Sequence, residues 1–404
     1  MINYLIDPFQ YEFMVRALIA SLLVGIICSI LSCYLVVKKW ALLGDAISHA
    51  VLPGVAIAFM LNISFFIGAL FTGIATALGI GLVTKYSKVK EDAAIGVMFT
   101  TAFAFGILLL SLIRAKSIDL YHILFGNVLG VSTTDMIITA ISGLVVLVTI
   151  ILLFKELLLH AFDPIMASSI GLPTSFFHYL LMFLLSVTIV ASLQTVGIVL
   201  VIAMLITPGA TAYLIARRLS TMMLVAAGIG VISSLAGLYF SYYLNVASGA
   251  MMVLVAGLIF FLAFLFSPRE GVIWRTIRKR RIALNTMLED CLISIYRISD
   301  GKGYVEIEKV EHPSAVSTLE KQNLANLKGG LVKLTALGMK KATYLLKVHR
   351  LWETYLVEKA NISTEHVHDF AHKYEHITPV SVAEEMNKTL KHPRKDPHGH
   401  RIPR

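Results

Sequence analysis

This 404-residue chain has only three cysteines, fewer carboxylates (25) than lysines and arginines (35), and no phosphate-binding loop. Its three cysteines, Cys28, Cys33 and Cys291, form no CxxC pair, so neither a disulfide scaffold nor a thiolate zinc site is supported. No GxxxxGK[ST] pattern occurs, so the chain lacks the loop with which to hydrolyse ATP itself. Acidic residues are scarce deep in the apolar segments, which argues against a proton-coupled carrier whose relays need several. The first residues, MINYLIDPFQYEF, have no basic n-region. The expectation is that there is no cleaved leader and that the first apolar segment directs insertion.

Apolar residues, by contrast, make up 57% of the chain and the mean hydropathy is +0.78, values of a polytopic membrane protein. The apolar character is uneven. Residues 1–268 hold nearly all of it, and residues 275–404 read as a soluble domain. Nine apolar segments stand at 14–37, 42–61, 64–84, 92–113, 134–154, 175–195, 197–216, 221–242 and 248–267, each near the roughly 20 residues a bilayer needs. Several are short enough to be broken or re-entrant, so the expectation is an all-α bundle of eight to nine transmembrane helices. Lys38, Lys39, Lys85, Lys88, Lys90, Lys155, Arg217, Arg218 and Arg269 fall on one side, which is then the cytoplasm. The N-terminus is expected outside and the tail inside. Arg114 and Lys116 are exceptions, in an outer loop with Asp119. The net charge of +10 follows from this rule without invoking nucleic acid.

Within the apolar part, WALLGDAISHAVLPG (40–54) carries Asp45 and His49 four residues apart. On a helix they share one face, where a carboxylate and an imidazole can hold a divalent metal between them. The alternative is a helix-end Asp and a buried, hydrogen-bonded His. Gly44 and Gly54 permit close packing, and Pro53 interrupts the helix. The loop KELLLHAFDPIMASSIGLPTS (155–175) is amphipathic, with Leu157, Leu158, Phe162, Ile165 and Ile170 as an apolar docking face. Thr207-Pro208-Gly209 is expected to break a helix near the cytoplasmic surface.

GDAISHAVLPG, AFDPIMASSIGLP and VGIVLVIAMLITPGAT, in this order, resemble the permease of metal-specific ABC importers, the ABC-3 family for manganese, zinc and iron. The resemblance covers about residues 10–268. It implies a homodimer of permeases or a heterodimer with a second permease, cytoplasmic ATPase subunits that supply ATP hydrolysis, and an extracytoplasmic metal-binding protein. It places Asp45 and His49 on the metal path. It makes the segment with Asp163, Pro164, Gly171, Leu172 and Pro173 the one that rests on the ATPase. The implied location is the bacterial plasma (inner) membrane.

RTIRKRR (275–281) opens the tail with five basic residues of seven, a pattern that usually meets anionic headgroups. Nine of the thirteen histidines lie after residue 300. HVHDFAHKYEH (366–376) reads as a helix with His368, His372, Glu375 and His376 on one face and Val367, Phe370, Ala371 and Tyr374 on the other. His349 and Glu353 make a second i, i+4 pair. Four histidines and two glutamates at such spacing favour a divalent metal site.

LEDCLISIYRI, HPSAV, GLVKLTALGMKKA, HRLWETYLVE, VHDFAHKYEH and LKHPRKDPHGHRIP resemble the diphtheria-toxin-repressor and manganese-repressor family. By position the resemblance puts metal ligands at Asp290, His349, Glu353, His368, His372, Glu375 and His376. His372 stands where members use Cys or Glu, and Ile293 where manganese-selective members carry a carboxylate. Between Tyr304 and Leu319 there is little room for two helices and a turn, so the DNA-reading half is expected to be a degraded winged helix, with Ser314 and Ser317 left to reach phosphates.

The organisation expected is thus a permease at 1–268, a basic linker at 269–286, a shortened winged-helix segment at 287–348 and a mostly helical metal-binding and dimerisation segment at 349–404. The leading reading is a non-enzymatic subunit importing a divalent transition metal, manganese most of all, with a metal-sensing tail; oxygen and nitrogen path ligands suit manganese or ferrous iron better than a thiolate zinc site. The alternatives are a zinc or iron importer, and a membrane-tethered, metal-dependent transcription regulator that binds DNA.

Overall fold

The computed structural model describes residues 7–113, 128–299 and 303–403, and divides into two units, Met1–Trp274 and Arg275–Arg404. Arg114, Lys116 and Asp119 lie outside the described residues.

Among the described residues of the first unit, nine helical spans are long and apolar enough to cross a membrane. They are α1 (Glu12–Lys38), the pair α2 (Ala41–Ala50) and α3 (Leu52–Leu61), α4 (Phe65–Tyr86), α5 (Glu91–Ile113), α6 (Thr133–Leu152), α9 (Thr174–Val196), α10 (Ile198–Ile215), α11 (Leu219–Leu244) and α12 (Ser248–Phe266). Two short helices, α7 (Phe154–Phe162) and α8 (Pro164–Ser169), fill the loop between α6 and α9. Helices apolar on every side need either a protein interior or lipid around them. Here α1, the α2–α3 span and α9 are mostly buried, whereas α5 and α12 are mostly exposed. The core runs along α1, which packs on α10 and α11.

The second span is two helices, parted at Val51 and restarted by Pro53 in the first turn of α3. It is held against α4 by Gly54 and Gly68, where a Cβ on either would overlap the other's backbone. The break expected at Pro208 does not occur, and α10 runs through it. Gly209 lies directly on α1, where a Cβ would strike Ser32, and Thr211 Oγ1 donates to the Thr207 carbonyl at 2.7 Å. The interruption falls instead at Gly197, the single residue between α9 and α10, at φ 81 and ψ 165, which only glycine adopts readily.

Residues 269–286, expected as a linker, are largely helical, because α13 runs from Val272 to Ser299. In the second unit, Leu288, Cys291, Leu292 and Ile295 of α13 share a core with Val305, Val316, Leu319, Val332 and Leu334. The sheet is β1 (Val305–Glu306), β3 (Leu331–Leu334) and β2 (Ala325–Lys328) in that order, antiparallel throughout. Gly329 and Gly330, at φ 56 and 82, make the two-residue turn between β2 and β3. The winged-helix shape therefore persists in reduced form. Its helices between β1 and β2 come down to 3-10 turns and α14 (Val316–Lys321), six residues long. Then follow α15 (Ala336–Ala360), which runs through the expected division at 348/349, α16 (Val367–Glu375) and α17 (Val380–Thr389).

Candidate metal sites

Asp45 and His49 lie one turn apart on α2, with His49 Nε2 at 3.5 Å from Asp45 Oδ1. Leu43, Gly44, Ala46, Ile47, Ser48 and Ala50 around them are buried, so the two polar side chains occupy the one partly open stripe of the helix. The imidazole faces the rings of Phe99 and Phe103 on α5, with centroids 5.6 and 5.4 Å away. Two residues on, at the break, a cavity of about 740 Å3 opens, lined by Val51, Val55, Asp135 and Gln194. The pair is thus sparse, accessible and placed where the helix is interrupted.

The loop after α6 is built as a compact knob. Asp163 caps α8, its Oδ1 accepting from Met166 N–H at 2.9 Å, and Pro164 takes the first helical position. Gly171 turns the chain at φ 86, Leu172 N–H donates to the Ala167 carbonyl at 3.0 Å, and Pro173 precedes α9. The five apolar residues expected to form one docking face divide. Leu157 is buried and Leu158 packs on the core, so both belong to the permease interior. Phe162, Ile165 and Ile170 stay exposed, with Met166 beside them.

Among the described residues, groups of three or more metal-ligand side chains occur only in the second unit, and there are two of them. Together they take up all seven positions expected from the sequence. The first unites His349 and Glu353 of α15 with His368 of α16. Its three ligand atoms form a near-equilateral triangle: His349 Nε2 to Glu353 Oε1 is 3.1 Å, His349 Nε2 to His368 Nδ1 is 3.0 Å, and His368 Nδ1 to Glu353 Oε1 is 3.0 Å. A cavity of about 370 Å3 reaches this cluster, lined also by His398 and His400.

The second unites Asp290 of α13 with His372, Glu375 and His376. His372 Nε2 and His376 Nε2 each lie 3.2 Å from Asp290 Oδ1, and Glu375 Oε1 lies 3.3 Å from His376 Nε2. Among the described residues, His376 Nε2 is buried with no partner in hydrogen-bonding geometry. A buried ring nitrogen facing two carboxylates without a hydrogen bond, with a second imidazole beside it, gives a mixed oxygen and nitrogen donor set, and such a set fits a divalent metal. Ile293, one turn along α13, is buried and offers no ligand atom.

Glu375 serves both clusters. Its Oε2 lies 2.6 Å from His349 Nδ1, and its Oε1 belongs to the second cluster. Burial alone would push the His349 pKa down, yet Glu353 and Glu375 beside it hold it up at about 9. For His376, burial is likewise outweighed, by Asp290 and Glu289, to about 9. Glu353 is held down at about 2: burial works against ionisation, and His349 and His368 overcome it.

Sequence reasoning missed Glu289. It accepts from His376 Nδ1 at 2.8 Å and is itself paired with Lys341 Nζ at 3.0 Å. The one signal was its place beside Asp290. The faces of α16 also need correction. Val367, Ala371 and Glu375 point inward, while Phe370 is exposed and Tyr374 stacks on Trp352 with centroids 4.8 Å apart. Ser314 and Ser317 are exposed, on a 3-10 turn and on α14, with Ser317 Oγ 3.5 Å from the Ser314 carbonyl.

The model of the ABC 3 transport family matches residues 10–267. The chain belongs to this family. A second model, the iron dependent repressor metal binding and dimerisation domain, matches residues 335–404. The manganese transport system membrane protein MntC of Halalkalibacterium halodurans is 58% identical over 272 residues, 67% of this chain and 93% of that protein. A probable iron transport system membrane protein of Haemophilus influenzae is 46% identical over 275 residues, 68% of this chain and 97% of that protein. Among solved structures, PsaBC from Streptococcus pneumoniae in complex with Fab matches with a TM-score of 0.62 and 42% identity, covering 69% of this chain and 100% of that one. This family member is thus a multi-pass membrane permease with a repressor-like C-terminal domain.

Proposed function

We propose that this chain is the membrane-spanning subunit of an ABC importer for manganese, and that its tail binds the same ion in the cytoplasm and restrains transport when the ion is plentiful. The observation that carries the reading is the contrast, among the described residues, between the sparse Asp45–His49 pair in the first unit and two dense clusters in the second. A pathway must release its ion, so few ligands suit conduction, whereas a sensor must hold its ion.

Asp45 and His49 line the metal path, reached from the break at Val51. The knob with Asp163, Pro164, Gly171, Leu172 and Pro173 rests on the ATPase subunits, with exposed Phe162, Ile165 and Ile170 as its contact. The basic loops support a cytoplasmic knob and tail and an outside N-terminus. A second permease copy, or a different permease, completes the pathway, and an extracytoplasmic metal-binding protein delivers the ion. Among the described residues, no thiolate joins Asp45 and His49 or either cluster, which favours manganese or ferrous iron over a thiolate zinc site. The relatives named for manganese point the same way, and those named for iron make ferrous ion the first competitor.

In the tail, His349, Glu353 and His368 hold one ion, and Asp290, His372, Glu375 and His376 a second. The metal supplies charge that fixes α13, α15 and α16 together. Glu375 and Glu289 orient His349 and His376 through their Nδ1 atoms. A six-residue α14 is a short reader for a major groove about 12 Å wide, which supports sensing over operator binding.

The test is uptake of radioactive manganese by cells making this chain with its ATPase and binding protein, with zinc and ferrous iron as competitors. Uptake that resists excess zinc and iron supports the reading. Uptake erased by a slight excess of either makes that metal the cargo. No uptake, combined with metal-dependent footprinting of operator DNA by the chain, moves the tethered regulator to first place.

A further inference from the structure

The segment after α17 carries a feature that metal binding does not use. A cavity of about 830 Å3 lies against α15 and α17, and five cations line it: Lys347, Lys391, Arg394, Lys395 and Arg401. Among the described residues, no carboxylate side chain lines it. The acid nearest in sequence, Asp396, is buried and engaged elsewhere. Its Oδ1 accepts from the backbone of His398 and His400 at 3.0 and 2.8 Å, and its Oδ2 faces Arg350 Nε at 3.5 Å.

The cations are held there by the fold. Ile402 is buried in a small core with Leu351, Met386 and Leu390. Ile402 N–H donates to the Arg394 carbonyl at 3.0 Å, His392 N–H to the Asn387 carbonyl at 2.9 Å, and Lys395 bridges to Arg401. The Arg350 guanidinium donates to the Arg401 carbonyl. Lys391 and His392 both take φ 55, a left-handed conformation that side chains other than glycine's adopt only when the surroundings impose it. Like charges gathered around one concavity repel, and an anion between them relieves the repulsion.

We propose that this cavity binds a phosphate-bearing anion. Two guanidinium forks, Arg394 and Arg401, and three ammonium groups match tetrahedral oxyanions better than a single carboxylate. The volume lies within the range of about 300–1,000 Å3 usual for small-molecule pockets and exceeds what one phosphate fills, so the ligand carries several phosphates or a phosphate on a larger body. A soluble polyphosphate compound and an anionic lipid headgroup share this chemistry.

The full chain, placed in nanodiscs of phosphatidylcholine alone, is titrated calorimetrically with inorganic triphosphate. In parallel, the tail's resistance to protease is compared in nanodiscs with and without phosphatidylglycerol. Arg394→Glu with Lys395→Glu is the test variant, and Lys328→Glu, on the wing, the control. Saturable triphosphate binding that weakens at least tenfold in the test variant, and stays unchanged in the control, supports the proposal with a soluble ligand. Absent triphosphate binding, with phosphatidylglycerol-dependent protection lost only in the test variant, supports it with a lipid ligand. Lys391→Gln, a milder change of one exposed side chain, is expected to weaken the same response several-fold if the double variant misfolds. No response in either arm, or a response equal in wild type and variants, overturns it.

Discussion

Oε2 of Glu375 lies 2.6 Å from Nδ1 of His349, and both side chains are almost wholly buried. Because the other oxygen of the same carboxylate faces the second cluster, the two candidate metal sites share one residue. Glu375→Gln is therefore expected to weaken both sites: the second by loss of a ligand, the first by losing the charge that orients His349. Outer partners of this kind are worth about 10–100-fold in affinity. Manganese titration of the full chain reads both. Loss at one site with the other unchanged contradicts the shared role.

Glu289→Gln keeps the size of the side chain but removes the charge facing His376 Nδ1. Metal affinity at the cluster containing Asp290 is expected to fall about tenfold or more, while the cluster of His349, Glu353 and His368 keeps its affinity. Equal loss at both clusters points to a general structural defect instead.

The proposed path and sensor are expected to separate genetically. Asp45→Ala is expected to abolish manganese uptake, and His368→Ala to leave initial uptake intact while relaxing its shut-off. Both are read by radiotracer uptake at low and high prior manganese loading. Retained uptake in Asp45→Ala removes Asp45 from the path.

Proton release follows from the raised histidines. His349 and His376, held at about 9, are protonated at neutral pH in the metal-free tail. Relative to an unfolded value of about 6.5, this stabilises the metal-free fold fully below about pH 6.5 and is lost as pH rises through about 9. A metal has to displace these protons. Manganese affinity is thus expected to climb across that window, with protons released on binding and a widening gap in Tm between loaded and metal-free protein. An affinity flat across the window contradicts the protonation assigned to the two imidazoles.

Removing the cap of α8 by Asp163→Ala costs the short helix about 1 kcal/mol. Transport is expected to fall while the ATPase subunits still hydrolyse ATP, measured side by side in proteoliposomes. Undiminished uptake removes the knob from coupling.

The membrane part was legible because its signal is long and redundant: each span is a run of about twenty apolar residues, and single polar residues do not hide it. Of the candidate ligand positions, His349 with Glu353 and His368 with His372 and His376 were legible as i, i+4 pairs on helices, and Asp290 only through the family resemblance. Their division into two clusters was not, since Asp290 comes from α13 and meets α16 only through tertiary packing. The inward turn of Glu375 follows from its place four and eight residues after Ala371 and Val367, a stripe that drifts only about 40° per step. Grouping it with His368 and His372 followed its polarity rather than this stripe. Leu157 and Ile165 read alike in sequence, yet one is buried against the permease and the other is exposed, because the chain turns at Asp163 between them.

The most direct test of the account is manganese uptake by the assembled transporter in vesicles preloaded with or without manganese, comparing the wild type with a chain carrying His349→Ala and His376→Ala. Preloading is expected to slow wild-type uptake and to leave the double variant running at the unloaded rate. Equal slowing of both contradicts a sensing tail, and no uptake by either contradicts the importer itself.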